Sequence, residues 1–390
     1  MTLIAIHMLQ NHAPSNLNRD DNGDPKDCLF GERRRARISS QALKRSIRWA
    51  EQFRGAFADR PELLADRTQL LPELVRQRLN GYEIGGEARQ AIVDAAEKFG
   101  KADSGVAPAD EDKPKRGRKG ADAANEGAAQ KVKTKQLMFL TSREIDQLTA
   151  ELVERYQHDP ASFAATKWDT FREDRAEKYI PHAVDIAMFG RMTTSSPFKD
   201  VEAAVQVAHA FSTHAVEQEF DYYTAVDDIS GEAGAGFIGE TSFNSATYYK
   251  YINIHWEGLL ANLQNDVAIA SDTVRALIET AMFTIPSGKQ NSFAAHNLPD
   301  LALIEVRDRN VPLSYANAFV QPVRATAQSS LVARSAEALQ NYAATINGLY
   351  GLQARRAFIS TVPFTLPEAQ QCASLTALLS WLPLPTGERA

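Results

Sequence analysis

The chain has 390 residues, 44% of them hydrophobic, and a formal net charge of −6. That length suits two or three domains, or one domain with large insertions. The acidic balance excludes nucleic-acid binding by bulk charge and leaves only a local basic surface for it.

Only Cys28 and Cys372 are present, so neither a disulfide framework nor a cysteine metal site is expected, and a reducing cytoplasm is. The opening MTLIAIHMLQNHAP lacks the charged n-region and long apolar run of a signal peptide. No stretch approaches the roughly 20 apolar residues of a membrane span.

Thr2 to Leu9 reads as a strand and Asn22-Gly23-Asp24-Pro25 as a turn. Cys28 to Ile38 reads as a strand leading into a helix capped by Ser39 or Ser40. In that helix Leu43, Ile47 and Ala50 form an apolar stripe. Lys44 and Arg48, four apart, share a face expected to point outward, with Arg45 beside it. Arg33, Arg34, Arg35 and Arg37 add charge just upstream. A helix start with unpaired N–H groups and this much positive charge suits a phosphate backbone. A solvated basic face is the alternative reading.

From Pro61 to Phe99 the pattern is helical, broken at Gly85-Gly86. Lys101 to Lys135 is rich in Ala, Asp, Gly, Pro and Lys, and reads as a mobile insertion with too little apolar surface to offset ordering. Its basic run from Lys113 to Lys119 has the look of a localisation signal, and a charged linker is the favoured reading. Thr141 and Glu144 predict a capping box, with Ile145, Leu148, Leu152 and Tyr156 at helical spacing behind it. Gly190 to Pro197 reads as a polar loop, and Val201, Val205, Ala208, Phe211 and Ala215 as an amphipathic helix.

Phe220 to Val226 and Phe243 to Ile254 predict a long β-hairpin around an Asp227–Gly236 loop, carrying exposed aromatics. Cross-strand packing is the alternative for Tyr222, Tyr223, Tyr248 and Tyr249. Ser271 to Phe283 reads as a helix and Thr284 to Asn291 as a loop without the spacing of a nucleotide-binding P-loop. A strand at Leu301–Val306, a helix at Gln328–Asn347 and a strand at Phe358–Val362 follow. The interleaving predicts an α+β fold with a helical insertion and a protruding hairpin.

Two acid pairs, Asp20-Asp21 and Asp227-Asp228, have the chemistry to hold Mg²⁺ for a nuclease. Both lie in turns, where Asp commonly bonds its own backbone. His209 and His214, five apart, do not share a helix face as i, i+4 ligands do. No metal or cofactor is expected. Binding of single-stranded nucleic acid fits better: Arg19, Lys44, Arg45, Arg48 and Lys289 would serve phosphates, and Tyr223 and Met192 would stack or wedge.

The segments NLNRDD, RISSQALKRSIR, GRM, EFDYYTAVDD, GFIGETSFNSATYYKY and PSGKQNSFA occur in this order. Together they resemble the backbone subunit of the type I-E CRISPR interference complex, Cascade (the CasC, or Cas-seven, family). The main departure is the Lys101–Lys135 insertion. The resemblance implies an RRM-like, ferredoxin-like palm from residues 1–57, 206–216 and 249–390, helical fingers at 58–205 and a hairpin thumb at 217–248. It implies a non-catalytic scaffold that polymerises along CRISPR RNA, displays the guide for pairing with target DNA, and sits among large, small, end-capping and RNA-processing subunits. By the same resemblance Ser39, Gln41, Lys44 and Arg48 hold RNA phosphates, and Ser40 and Arg45 beside them are counted with the same RNA-binding face. Met192, Tyr223 and Thr224 pack on the displaced nucleotide, and Arg19, Lys289, Gln290 and Asn291 add contacts. A metal-dependent ribonuclease at Asp20/Asp21, as in related backbone subunits, is the alternative.

Overall fold

The computed structural model describes residues 2–99, 132–134, 136–166, 168, 181–192, 198–226, 229 and 235–385. Asp227-Asp228, Thr193–Pro197 and nearly all of the Lys101–Lys135 insertion lie outside them. Strands β1 (Leu3–Ser15), β2 (Asp27–Phe30), β3 (Arg33–Ile38), β4 (Ala65–Thr68), β5 (Met138–Thr141) and β6 (Val205–Val207) come first. Then follow β7 (Ala210–Ser212), β8 (Glu219–Val226), β9 (Ala235–His255), β10 (Leu301–Arg307), β11 (Arg355–Ser360) and β12 (Ala369–Gln371). The helices used below are α1 (Ser40–Trp49), α2 (Leu71–Arg78), α3 (Gly86–Lys98), α4 (Ser142–His158), α5 (Val267–Phe283) and α6 (Leu331–Tyr350). The fold is a mixed α+β one, and it divides into two compact units: residues 1–56, 204–261 and 265–390, and residues 57–203 with 262–264.

The first unit is built on a ten-stranded sheet in the order β12-β11-β10-β1-β9-β7-β3-β2, with β6 and β8 also paired to β9. β1 is its spine. It pairs antiparallel with β10 (Leu3↔Arg307) and with β9 (Leu3↔His255). Residues Leu3 to Gln10 are all buried, the signature of a strand covered on both faces. On one face Met8, Lys250 and Ile252 meet Leu43 and Ile47 of α1 and Ala281 of α5. On the other Ala5, Leu9, Tyr249 and Leu303 meet Ala336, Leu339 and Ala343 of α6. Burying each such leucine or isoleucine is worth about 1.5–3 kcal/mol. β1 runs six residues beyond the sequence expectation, its register shifting between His12 and Ser15, where Pro14 lies.

The amphipathic helix expected over Val201–Ala215 is absent; β6 and β7 occupy this stretch. Val205 and Val207 are buried on either side of exposed Gln206, and they pair with Ile254 and Ile252. A tertiary partner with matching two-residue alternation overrode an apolar spacing that also fits a helix.

The second unit has its own core. Leu71 and Val75 of α2, Ile92 and Ala96 of α3, and Leu148 and Leu152 of α4 pack with Phe163 and Trp168. Its two-stranded sheet pairs Ala65 with Thr141. The capping box forms: Glu144 N donates to Thr141 Oγ1 at 3.0 Å and Thr141 N to Glu144 Oε2 at 2.9 Å. Among the described residues no helix is long and apolar enough to cross a membrane.

Candidate nucleic-acid interface

Helix α1 starts where its serines place it. Ser39 is the N-cap, its Oγ accepting from Ala42 N at 3.2 Å. No acidic residue sits in the first turn, so the positive end of the helix is not neutralised within it. Gln41 and Arg45 are exposed, Ser40 and Lys44 half-buried, and Leu43 and Ile47 buried. Arg48, expected outward, is only 8% exposed. The helix packs on the sheet through a stripe wide enough to enclose it, a width that i, i+4 spacing alone does not reveal. Arg35 also departs from the basic surface. It is fully buried, donating to the carbonyls of Phe30 (3.2 Å), Ser212 (3.1 Å) and Phe319 (2.8 Å). Arg33 and Arg34 stay exposed at the β2–β3 hairpin, Arg34 paired with Asp27 at 2.7 Å.

The Asn16–Asp24 loop ties α1 to a second basic point. Asn18 Oδ1 accepts from Ser39 N at 2.8 Å, so the loop is bonded to the start of α1. Buried Asn16 donates through Nδ2 to Gly23 O at 2.9 Å and Ser242 O at 3.1 Å, and Ser242 Oγ donates to Asp24. Exposed Arg19 follows Asn18 directly. An open cleft of about 550 Å³ is lined by the Leu17–Gly23 segment and Gly288. A Cβ at Gly288 would stand 2.3 Å from Leu17 O and 2.6 Å from Asn16 O, so only glycine lets this turn seat against the loop. Next to it Lys289, in the left-handed region at φ 46°, donates through Nζ to Thr241 Oγ1 at 2.9 Å. Arg19, the α1 N-terminus and Lys289 are thereby gathered by one loop. Gly288→Ala should separate the turn from the loop, costing about 1–3 kcal/mol of stability as overpacking does; thermal melts of the purified variant measure it.

Gln290 spends its amide on its own turn, accepting from Ala295 N at 2.8 Å and donating to Pro286 O at 3.3 Å, while Asn291 is exposed. In the β8–β9 hairpin Tyr223 pairs with Gly239, and a Cβ there would lie 2.5 Å from Tyr223 Cζ. The ring thus lies over a glycine, with 45% of the residue still exposed; Phe220, Tyr222 and Thr224 are exposed too. Tyr248 and Tyr249 are buried, so for them cross-strand packing is the right reading, and Tyr251 on the same strand is buried too.

Met192 belongs to the second unit and is 86% exposed. Its neighbour Arg191 is buried, bonding Glu144 at 2.8 Å, Phe139 O at 3.0 Å and Lys199 O at 2.9 Å. Sequence reading missed the roles of Arg191 and Asn18, although both residues sit inside the quoted motifs, while the partners of Arg191 lie outside them.

Of the Asp20-Asp21 pair, Asp20 is engaged in its own turn. Asp20 Oδ1 accepts from Asn22 N (2.9 Å) and Asp24 N (3.0 Å), the turn role that Asp commonly takes. Among the described residues no group of three or more His, Cys, Asp or Glu is placed to hold a metal ion. His209 lies 3.1 Å from Arg37 Nη1 and His214 2.8 Å from Ala215 O, and burial lowers the pKa of both.

A solved structure described as "CRISPR RNA-guided surveillance complex, pre-nicking" contains a chain that this one matches at 28% identity and a TM-score of 0.73, over 97% of this chain and 99% of that one. A chain of a second, described as "CRISPR RNA-guided surveillance complex", shares the fold at 24% identity and a TM-score of 0.68, with the same coverage. No curated protein matches the chain. The family model for CT1975-like proteins (Cas_CT1975) matches residues 4–381, and the chain belongs to that family.

Proposed function

We propose that this chain is the non-catalytic backbone subunit of a CRISPR RNA-guided surveillance complex of the type I-E Cascade kind. The observation that supports this reading is the nearly end-to-end likeness to a chain of a structure described as a CRISPR RNA-guided surveillance complex. The loop that gathers Arg19, the α1 N-terminus and Lys289 supports it. Ser39, Ser40, Gln41, Lys44 and Arg45 would meet phosphates at the helix start, as backbone amides and cations do elsewhere. Tyr223 and Thr224 would press on a displaced nucleotide, and Met192 of the second unit would separately serve as a wedge. Arg48 would act mainly from within the packed helix.

In this reading the first unit is an RRM-like palm, the second unit is the fingers and the β8–β9 hairpin is the thumb. Copies assemble along the guide in the cytoplasm and leave it free to pair with target DNA, alongside the other Cascade subunits. Protein holds the backbone and base pairing reads the sequence. A partner nuclease supplies any cleavage.

The test is to purify the chain with its operon neighbours and analyse the bound nucleic acid by denaturing gel and sequencing. A repeat-derived RNA of uniform length is expected. No RNA, or a random mixture, would overturn the guide-bound reading. RNA binding should survive EDTA and fall with salt, with a log–log slope of about −0.7 per phosphate contact on a single strand. RNA cleavage that stops on chelation or in Asp21→Ala would replace the scaffold by a ribonuclease.

A further inference from the structure

Lys250 of β9 is 3% exposed, and its ammonium donates to Gln10 Oε1 of β1. Burial alone pulls its pKa down to about 8. His12, on the same face of β1, is held neutral beside it: burial first and the Lys250 charge second push its pKa to about 3. Among the described residues no carboxylate pairs with Lys250. Ala281 and Thr284 of the α5 end, and Leu43, Ser46 and Ile47 of α1, close over it. A buried ammonium with an amide for its partner is a costly arrangement, and an apolar side chain of similar size would pack there at lower cost.

What the arrangement holds lies on the other side of Gln10. Gln10 Nε2 donates to Asn297 O, and Ala13 N to Asn297 Oδ1 at 3.2 Å. Asn297 ends the segment that opens with Lys289 and the short helix Gln290–Phe293. Lys289 and Ala294, at the two ends of that helix, both have φ of 46°, a left-handed conformation that non-glycine residues keep only when their surroundings over-determine it. The Gln290 carboxamide closes the loop by accepting from Ala295 N. A chain of polar contacts therefore runs from Lys250 through Gln10 to the far anchor of a strained turn, and the near anchor is Gly288 against Leu17.

We propose that Lys250 and Gln10 form a buried latch that positions the Lys289–Asn291 turn to meet the RNA backbone. They are positioning residues, and the assignment rests on the reading of Lys289 as an RNA contact given above. The latch removes the turn's freedom before RNA arrives, so Lys289 reaches a phosphate without an ordering cost at binding. The ammonium fixes Gln10 with its carboxamide oxygen inward and its NH₂ toward Asn297, an orientation an apolar neighbour would not enforce.

The test compares Lys250→Met, Lys289→Met and the double variant in binding a 40-nucleotide single-stranded RNA, with melting temperature and hydrogen exchange read on the purified chain. Lys289→Met should weaken binding roughly tenfold, the worth of one charge-assisted contact. Lys250→Met should weaken it by a similar factor, and the double variant no further than Lys289→Met alone, because both remove one contact. Lys250→Met should leave the melting temperature unchanged or raised while exchange quickens selectively across residues 286–297. A merely structural lysine would instead lower the melting temperature and loosen β1 and β9 as well, and that result would overturn the latch. Multiplying rather than saturating losses would overturn it too, since Lys250 would then act apart from the turn. A silent Lys289→Met would overturn the RNA reading of the turn and leave the exchange pattern to decide the latch by itself.

Discussion

Arg19→Glu combined with Arg45→Glu is expected to remove RNA association while leaving the fold intact. Both side chains are exposed, one on the loop bonded to Ser39 and the other one turn into α1. Two lost charge-assisted contacts at about 1.4 kcal/mol each lower affinity about a hundredfold, and reversed charge lowers it further. The log–log salt slope should become shallower by about 1.4, two contacts at 0.7 each. Filter binding from 50 to 400 mM salt measures both, and an unchanged circular-dichroism melt certifies the fold. An unaltered slope would mean that the phosphates run elsewhere. Arg48→Glu is not an equivalent test. It would bury an acid where the structure buries an arginine, so RNA loss there would report damage to α1.

That difference between Arg45 and Arg48 shows where sequence stops being legible. Serine caps, the Leu43–Ile47 stripe and the Thr141–Glu144 box are local, and each formed where its residues predicted. Which cations stay in water is decided by neighbours far along the chain. Arg35 disappears because carbonyls of Ser212 and Phe319 converge on it from 177 and 284 residues away. β6 and β7 are three residues each, too short for their own periodicity to speak, and exist because β9 offers an edge. Asn18 reads as one more loop asparagine until Ser39 is found at its side chain. The site was legible as a set of charged residue types. Its assembly depends on contacts that no local spacing encodes.

Glu305→Gln is expected to lower stability by about 3–5 kcal/mol, the cost of breaking one partner out of a buried ionic cluster. Glu305 of β10 is fully buried. Its carboxylate accepts from Arg356 Nε at 2.6 Å, Arg307 Nη2 at 2.9 Å and the Tyr315 hydroxyl at 2.9 Å, with His7 Nε2 at 3.5 Å. Burial by itself would raise its pKa, but His7, Arg307 and Arg356 outweigh burial and hold it well below its ordinary 4.5. A carboxylate depressed in the folded state stabilises fully above its unfolded pKa and loses that contribution as pH falls through the folded one. Urea unfolding at pH 7 should therefore separate the variant widely from the parent, and the gap should narrow as pH drops below about 4.5. Replacing Glu305, Arg307 and Arg356 together by methionine should recover much of the loss, because no charge is then left buried without a partner. The cluster lies on the α6 face of the sheet and α1 packs on the other, so the folded variant should keep the parent's salt slope for RNA. A loss under about 1 kcal/mol, with no narrowing in acid, would mean that water enters the cluster and screens the two arginines when the acid is gone.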